Sequence, residues 1–135
     1  MSELSWRHDS RRVLLTVHVL KPKPVTDLTS MEAVALLDTG STTSGVTRSL
    51  ADRLGLPHMG KRPLASAHGE AQVERFLFRF ALPVDGAALP FVFDEVIGFE
   101  LKNGFAFEAL IGMDILRQCD FSMDRRGFCR LSFGG

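Results

Sequence analysis

The sequence predicts a mostly β domain whose sheet is closed or folded over on itself, with two short helices. Apolar and polar residues alternate along several short segments, and a period of two is typical of half-buried strands. Turn-forming residues separate these segments at short intervals, and only two segments have helical spacing. The 135 residues fit one domain. Many short strands within one domain favour a closed or two-layered sheet.

The first third of the chain contains two predicted strands. Residues 12–20 alternate valine or leucine with polar residues, and the prolines of 21–24 then remove backbone donors. Residues 33–37 carry no polar side chain, which predicts a fully buried strand. This strand ends at Asp38, the first residue of an Asp-Thr-Gly-Ser sequence.

Residues 47–55 carry the clearest helix signal. Thr47 can cap the amino end, and Leu50 and Leu54 are spaced to lie on one face. Gly55 can adopt the left-handed conformation that commonly ends a helix. The pattern predicts one short helix here.

A hairpin is predicted after the helix. Residues 63–66 and 72–75 flank a turn at 67–70, in which Gly69 can supply a positive φ. The second arm continues with four apolar side chains that alternate against Arg75 and Arg79 and are expected to lie in the core: Phe76, Phe78, Phe80 and Leu82. Residues 83–90 are predicted to be a loop.

The remainder of the chain predicts short strands and one further helix. The elements in order are one or two strands over 91–97, a turn at 102–104, a buried strand over 105–111 that ends at Gly112, a helix over 114–117, and a hairpin of 121–123 with 128–133. Asp114 is expected to cap the second helix, and the alternative is a second catalytic carboxylate.

The charge distribution argues against several classes of function. The 16 Lys and Arg residues balance the 16 Asp and Glu residues, and no run of like charges stands out. Nucleic-acid and anionic-membrane surfaces both need clustered basic charge. The chain contains no stretch of about 18 apolar residues, and its first residues lack the apolar core of a signal peptide. We therefore expect a soluble, cytoplasmic protein with no nucleic-acid or membrane partner.

The cysteines and histidines do not suggest a metal or disulfide framework. Cys119 and Cys129 are too few for such a framework and are expected to be small buried side chains. The four histidines show no zinc-ligand spacing: His8, His18, His58 and His68. We expect no metal and no cofactor.

The motif at 36–41 carries the chemistry. An apolar strand that ends in Asp38 places a carboxylate at the edge of the core, where desolvation and hydrogen bonds can tune its pKa. The hydroxyl of Thr39 can fix the turn, Gly40 allows another backbone to approach closely, and Ser41 can donate to the carboxylate. An ordinary turn is the alternative interpretation, because Asp-Thr-Gly is also a common turn sequence.

The surrounding segments favour the catalytic interpretation. Residues 110–116 repeat the order of apolar strand, glycine and short helix, and a glycine-containing hairpin lies between the two motifs. In this arrangement the chain resembles the retropepsin-like aspartic proteases, whose pattern is found here at 36–41, 63–78 and 110–116. The resemblance extends over 13–133, nearly the whole chain. It implies a closed acid-protease barrel with two short helices and a flap hairpin.

The resemblance also assigns roles to individual residues. Asp38 corresponds to the catalytic aspartate, and Thr39 to the residue whose hydroxyl braces the loop of a dimer partner. Gly40 and Ser41 complete the catalytic loop, against which Gly112 would pack. Three residues at the flap tip would contact substrate: Ala67, His68 and Gly69. The whole chain, 1–135, forms one domain, with 1–11 as a flexible segment or a dimer-contacting arm.

Two positions depart from the retroviral pattern. Retroviral members carry an acidic residue and an arginine that pair with each other, where this chain has the uncharged Thr42 and Met113. The joint loss of this pair fits the non-viral branches of the family. The flap turn also contains fewer glycines than viral flaps.

A single Asp-Thr-Gly supplies half of an aspartic protease site. The resemblance therefore implies an aspartic endopeptidase that acts on peptides or proteins as a homodimer, with two copies of Asp38 sharing one proton. Four apolar residues are candidates for a substrate pocket: Val46, Leu64, Ala65 and Ile97. Two alternatives remain: an inactive module of the same fold that binds peptides or dimerises, and an unrelated small β-barrel in which Asp38 only ends a strand.

Overall fold

The computed structural model describes residues 1–8, 11–66 and 69–134. Ala67 and His68, predicted at the flap tip, lie outside the described residues. Ten strands and two helices occur within the described part, in this order: β1 (Ser2–Arg7), β2 (Leu14–Leu20), β3 (Ser30–Leu37), β4 (Gly45–Thr47), α1 (Arg48–Leu54), β5 (His58–Ser66), β6 (Gly69–Leu82), β7 (Phe91–Leu101), β8 (Ala109–Ile111), α2 (Met113–Leu116), β9 (Cys119–Met123) and β10 (Phe128–Phe133).

Six of the strands form a closed ring. Their order is β2-β3-β8-β4-β7-β6, and pairing of β2 with β6 at Val19 and Phe80 closes it. Strand β5 is hydrogen-bonded to β6 as the outer arm of a hairpin. The predicted mostly β fold with a closed sheet and two short helices is confirmed.

The three remaining strands form a separate antiparallel sheet. Strand β10 lies in its centre, with β1 on one edge and β9 on the other. The segment 1–11, expected to be flexible or to contact a dimer partner, thus contributes strand Ser2–Arg7 to this sheet. Leu131 and Phe133 of β10 are almost fully buried, so the sheet packs against the main core.

Phenylalanine side chains fill the interior of the ring. Phe76, Phe78 and Phe80 on β6 have no exposed surface, as their spacing of two residues along a strand predicts. The rings of Phe78 and Phe80 pack edge to face with their centroids 5.0 Å apart, a favourable aromatic geometry. The prediction that these residues form the core is confirmed.

Helix α1 begins and ends where the sequence predicts. The amide N–H of Leu50 donates to Thr47 Oγ1 at 3.3 Å, and Gly55 has a φ of 66°. Leu50 and Leu54 face the core. A side-chain cap at one end and a left-handed glycine at the other explain the short length of this helix.

Strand β3 differs from the prediction of full burial. Ala33, Ala35 and Leu37 are buried, but Val34 is 40% exposed and Leu36 is only partly buried. Strand β3 belongs to a ring in which only the inner face is covered by the core, so alternate side chains point outward. An uninterrupted apolar run cannot show which of its members are the outward ones.

Strand β8 is shorter than the predicted strand over 105–111. It consists of Ala109–Ile111, because its parallel pairing with β3 begins at Ala109. Phe105 and Phe107 precede it in the loop and stack on each other at 5.3 Å. These aromatic residues stabilise a loop by contact with each other. An apolar run in the sequence does not distinguish such a loop from a buried strand.

The one or two strands predicted over 91–97 are a single bulged strand. Strand β7 runs through Phe91–Leu101, and its register with β6 shifts between the pairs Phe78–Val96 and Phe80–Phe93. Glu95, in the bulge, has a φ of 53°. The extra residue of a β-bulge accounts for the break in the alternating pattern.

Both cysteines are free. On the paired strands β9 and β10, Cys119 lies opposite Phe133 and Cys129 lies opposite Met123, which separates the two thiols along the sheet. Neither helix of the described residues is long and apolar enough to cross a membrane.

Candidate active site

The end of strand β3 brings Asp38 next to the glycine that follows β8. Strands β3 and β8 are parallel, with Leu37 opposite Ile111. The N–H of Asp38 continues this ladder by donating to Ile111 O at 2.9 Å. The next residue after Ile111 is Gly112, so the two sequence motifs meet at the same edge of the ring.

A tight turn positions the Asp38 carboxylate. Its Oδ1 accepts from the N–H of Gly40 at 2.9 Å, and its carbonyl accepts from the N–H of Ser41 at 3.3 Å. A Cβ atom at position 40 would lie 3.2 Å from Asp38 Oδ1. Glycine therefore lets the backbone donate to the carboxylate without crowding it.

Ser41 does not donate to the carboxylate as the sequence predicts. Its hydroxyl donates to Thr43 O at 2.7 Å, which stabilises the next turn of the same loop. Its carbonyl accepts from the N–H of Met113 at 2.8 Å. Ser41 thus connects the loop of Asp38 to the start of α2, while the neighbouring Thr39 is exposed.

Gly112 lies directly against the loop that contains Asp38. A Cβ atom at this position would lie 2.5 Å from Thr43 O and 3.0 Å from Ser41 O, both of them backbone atoms. The N–H of Gly112 donates to Ser44 Oγ at 3.0 Å. A side chain at 112 would force the two loops apart.

The structure adds a residue pair that sequence reasoning missed. Ser44, which is fully buried, donates through its hydroxyl to Asp114 Oδ1 at 2.7 Å and through its N–H to Asp114 Oδ2 at 3.1 Å. Asp114 Oδ1 also accepts from the N–H of Ile115 at 2.9 Å. Gly112, not Asp114, occupies the N-cap position of α2. The prediction that Asp114 caps the helix therefore missed its main partner.

The sequence contains no signal that identifies Ser44 and Asp114 as partners. Ser44 directly precedes β4, and Asp114 lies two residues after the glycine that follows β8. Neither position indicates the other, because the bond depends on the pairing of β3 with β8.

The hairpin that is predicted to serve as a flap is present as strands β5 and β6. Their register pairs Leu64 with Ala71 and Ser66 with Gly69, and Gly69 has a φ of 107°. This positive φ agrees with the turn expected at Gly69. The role of this hairpin as a flap stays a prediction.

The two uncharged residues that depart from the retroviral pattern, Thr42 and Met113, lie in different segments. Met113 is 38% exposed and begins α2, and Thr42 lies in the loop of Asp38. Within 1–8, 11–66 and 69–134, no cluster of three or more His, Cys, Asp or Glu side chains is arranged to hold a metal ion.

Comparison with known proteins identifies the family of this fold and loop. The model of the family described as "Aspartyl protease" matches residues 29–115, which include Asp38, Gly112 and Asp114. The chain belongs to the aspartyl protease family. No curated protein matches it.

The fold is that of a retropepsin-like member of the family. The chain is similar to the crystal structure of a retropepsin-like aspartic protease from Rickettsia conorii, with a TM-score of 0.61 and 17% sequence identity. The match covers 97% of this chain and 90% of the Rickettsia chain. The expected retropepsin-like fold is confirmed.

Proposed function

We propose that this protein is an aspartic endopeptidase that is active as a homodimer. The observation that most directly supports this proposal is the position of Asp38 at the end of β3. Its carboxylate is oriented by the N–H of Gly40, in a loop packed against Gly112. Membership of the aspartyl protease family supports the reaction class.

The bonding of Asp114 supports the need for a second chain. Its two carboxylate oxygens accept three hydrogen bonds, from the N–H and hydroxyl of Ser44 and from the N–H of Ile115. A carboxylate held in this way is a structural tie between loops and is poorly placed to act on a water molecule. The second catalytic carboxylate is therefore proposed to be Asp38 of a partner subunit.

Two such carboxylates would act as a pair. At a separation of about 3 Å they cannot both be ionised cheaply, so they hold one proton between them. The ionised member removes a proton from a water molecule as the water attacks the scissile carbonyl carbon. The protonated member donates to the carbonyl oxygen. As the C–N bond breaks, the leaving amine takes a proton from the pair, and one hydroxyl of the tetrahedral diol returns a proton to the pair. The products are a carboxylic acid and an amine, and the pair again holds one proton.

Thr39 is available for the role that the family resemblance implies. Its side chain is exposed beside Asp38 and is not engaged within its own loop in the described structure. We propose that its hydroxyl braces the corresponding loop of the partner subunit. Ser41 and Gly112 would then support the site only from within their own subunit.

The substrate is proposed to be an extended peptide. The hairpin of β5 and β6 offers backbone groups for added-strand pairing. We propose that Ala67, His68 and Gly69 contact the substrate. Of the predicted pocket residues, Leu64 and Ile97 are 36% and 40% exposed. Val46 is fully buried in the main core, so its assignment to the pocket is wrong.

An apolar cluster outside the main core supports a preference for apolar substrate side chains. Leu36 and Leu110 belong to a second cluster with Phe107, on the outward side of β3 and β8. Asp38 follows Leu37 in the extended ladder, and alternation places its side chain on the same side as Leu36. We propose that this cluster contributes to the surface beside the scissile bond.

The test compares wild type with Asp38→Asn on a peptide library from acidic to neutral pH. Cleavage is expected to fall by about 10³-fold or more, because the pair loses its general base. Asp94→Asn, at an exposed position of β7, is the matched control and should cleave like wild type. Circular dichroism and molecular mass show that each variant keeps its fold and assembly.

Two outcomes would contradict the proposal. Equal cleavage by Asp38→Asn and wild type would remove Asp38 from the chemistry. A verified wild-type dimer that cleaves nothing would favour a peptide-binding or dimerisation module of the same fold. We also propose a cytoplasmic location, which the two free cysteines support because a reducing compartment keeps thiols unpaired.

A further inference from the structure

A groove crosses the outer face of the ring, far from the loop of Asp38. Its floor is a row of three side chains, Val92 of β7, Ala81 of β6 and His18 of β2, which the strand registers place side by side. Ser30, at the start of β3, also lines the groove. Asp38 follows the other end of the same strand, about 25 Å away along the chain direction. The groove is therefore separate from the candidate active site.

The groove is apolar and large enough to hold a ligand. Its volume is about 370 Å³, and ligand-binding clefts usually have volumes of about 300–1,000 Å³. Phe80 and Leu82 face the core, so the small side chain of Ala81 between them faces outward and leaves the space above it open. Ten of the twelve lining residues are apolar, and His18 and Ser30 are the polar ones.

The walls of the groove extend this apolar surface outward. They are the loops 21–29 and 83–90, and Leu28 and Leu89 of these loops both line the groove. Leu28 is 64% and Leu89 is 75% exposed. Large exposed apolar side chains around an apolar groove are typical of a surface that binds another protein. A small molecule enclosed in the groove would leave both leucines in water.

The floor offers no open strand edge to a partner. Ala81 is paired with His18 on one side and with Val92 on the other, and His18 is also paired with Glu32 of β3. A bound segment cannot add a strand here, so it must be recognised through its side chains.

Carboxylates lie near both ends of the floor. Glu32, directly opposite His18, continues the row at one end, and Asp94 follows Val92 after one residue at the other. Both acids are exposed, and neither forms an ion pair within the described part of the chain. Asp85, in the second wall, is exposed as well. An apolar floor between two acids is complementary to an apolar side chain between two basic ones.

The cations near the groove belong to the first wall. Arg79 is 3% exposed, and its guanidinium donates to three backbone carbonyls of that wall. Hydrogen bonds from Thr29, and then the charge of Lys21, lower the pKa of Asp27, so this lysine is offset by an acid of its own loop. Lys23 is exposed in the same loop. Positive charge is thus confined to one wall, and the two ends of the floor stay acidic.

We propose that this groove binds an extended segment of another protein in which basic, apolar and basic side chains occupy alternate positions. The strands lie about 4.8 Å apart, so the row from Glu32 to Val92 spans about 14 Å. In an extended segment the first, third and fifth side chains share one face, and the outer two are about 13 Å apart. The apolar side chain fills the space above Ala81, and the basic ones reach Glu32 and Asp94. This site goes beyond the proposed function, because it needs no catalysis by Asp38.

The test is a titration of the ¹⁵N-labelled full chain with the peptide Gly-Lys-Ser-Leu-Ser-Lys-Gly, followed by NMR. Every protein sample carries Asp38→Asn, which keeps the peptide intact. We expect saturable shifts of the backbone amides in 18–20, 28–32 and 81–94 and none in the loop of Asp38. A peptide with serine in place of leucine, and one with glutamate in place of both lysines, should bind at least about threefold more weakly.

A charge exchange assigns the contacts to the two acids. Glu32→Lys combined with Asp94→Lys should weaken binding of the lysine peptide about threefold or more and should strengthen binding of the glutamate peptide by a similar factor. Asp52→Lys combined with Asp120→Lys changes the net charge equally at exposed positions of α1 and β9. This control pair should leave both dissociation constants unchanged.

Three outcomes would overturn the proposal. Shifts confined to the loop of Asp38 and the hairpin of β5 and β6 would mean that the peptide binds only in the proposed catalytic cleft. Equal binding of the lysine and glutamate peptides would mean that the groove takes apolar ligands without regard to charge. The absence of any saturable shift up to about 5 mM peptide would mean that the groove does not bind such a segment.

Discussion

The hydroxyl of Ser44 donates to Asp114 Oδ1 at 2.7 Å and accepts from the N–H of Gly112 at 3.0 Å. One buried side chain thus joins the loop that follows β3 to the start of α2. Gly112 has no side chain, so the two backbones can lie close together. Ser44 forms hydrogen bonds with polar groups of the opposite loop. This junction, together with the β3–β8 ladder, determines where Asp38 lies.

Replacing Ser44 with alanine should destabilise the fold. Ser44→Ala removes a donor to the Asp114 carboxylate and leaves the N–H of Gly112 without its acceptor, which costs about 2 kcal/mol for buried groups. Urea unfolding measures the change. Ser122→Ala, at an exposed position of β9, should change stability by less than about 0.5 kcal/mol. Equal stabilities of the two variants would show that the junction contributes nothing.

Arg79 is expected to anchor the loop between β2 and β3. Arg79 is 3% exposed, and its guanidinium donates to three backbone carbonyls, those of Lys21, Val25 and Asp27, at 2.6, 3.1 and 2.7 Å. Arg79→Met removes all three bonds and should cost about 2–3 kcal/mol.

Urea unfolding of Arg79→Met should be compared with that of Arg117→Met, which alters an exposed arginine after α2. We expect the exposed substitution to be nearly neutral. If both variants unfold at the same denaturant concentration as wild type, the carbonyl contacts of Arg79 do not stabilise the loop.

Glu95 is expected to be a site of backbone strain. Its φ of 53° in the β7 bulge lies in the left-handed region, which costs about 1–2 kcal/mol for a residue with a Cβ atom. Glu95→Gly should therefore stabilise the protein by a net amount of about 0.5 kcal/mol, after the entropy cost of glycine is subtracted. Thermal unfolding checks the sign.

Asp94→Gly provides the matched control for this strain. Asp94 is exposed like Glu95 and precedes it in the bulge, but it has no positive φ. Glycine there brings only the entropy cost, so we expect destabilisation of about 0.5–1 kcal/mol. Stabilisation by both substitutions, or by neither, would contradict strain at Glu95.

The thiols should be unreactive in the folded protein. Burial raises the pKa of Cys119 to about 11 from an ordinary 9.0, and burial also raises the pKa of Cys129. The thiolate is the reactive form, and little of it is present at pH 8. Iodoacetamide labelling is expected to be slow for the native protein and fast in urea, with Cys119→Ala and Cys129→Ala assigning each site.

The raised pKa of Cys119 also predicts a pH dependence of stability. A thiol whose pKa is higher in the folded state stabilises that state below pH 9.0, the ordinary value, and this contribution is lost as pH rises through about 11. Between these two values the free energy of unfolding should fall more steeply for wild type than for Cys119→Ala. Parallel curves for the two proteins would contradict the shift.

Local patterns predicted the elements whose signals are contained in a short stretch of chain. Thr47 and Gly55 mark the two ends of α1, and the alternation from Phe76 to Leu82 marks a strand with a buried face. The Asp-Thr-Gly sequence indicated Asp38 as the candidate catalytic residue. Each of these inferences depends on the physical chemistry of neighbouring residues only.

Patterns were insufficient where partners are distant in the chain. The apolar run at 33–37 gave no sign that Val34 points outward, because that depends on what covers the ring. The hydroxyl of Ser41 binds Thr43 O in place of the carboxylate, and the side chain of Asp114 binds Ser44 across two loops. Local composition allows each of these polar groups several partners.

The sequence by itself determined a mostly β chain with Asp38 at the end of an apolar strand, since strand periodicity, helix caps and turns are local properties. The tertiary structure decided which loops meet. The parallel register of β3 and β8 brings Gly112 against Thr43, and only then can Ser44 reach Asp114. Hydrogen bonds between distant segments form where strand pairing places the two groups within about 3 Å, and that distance is a property of the whole fold.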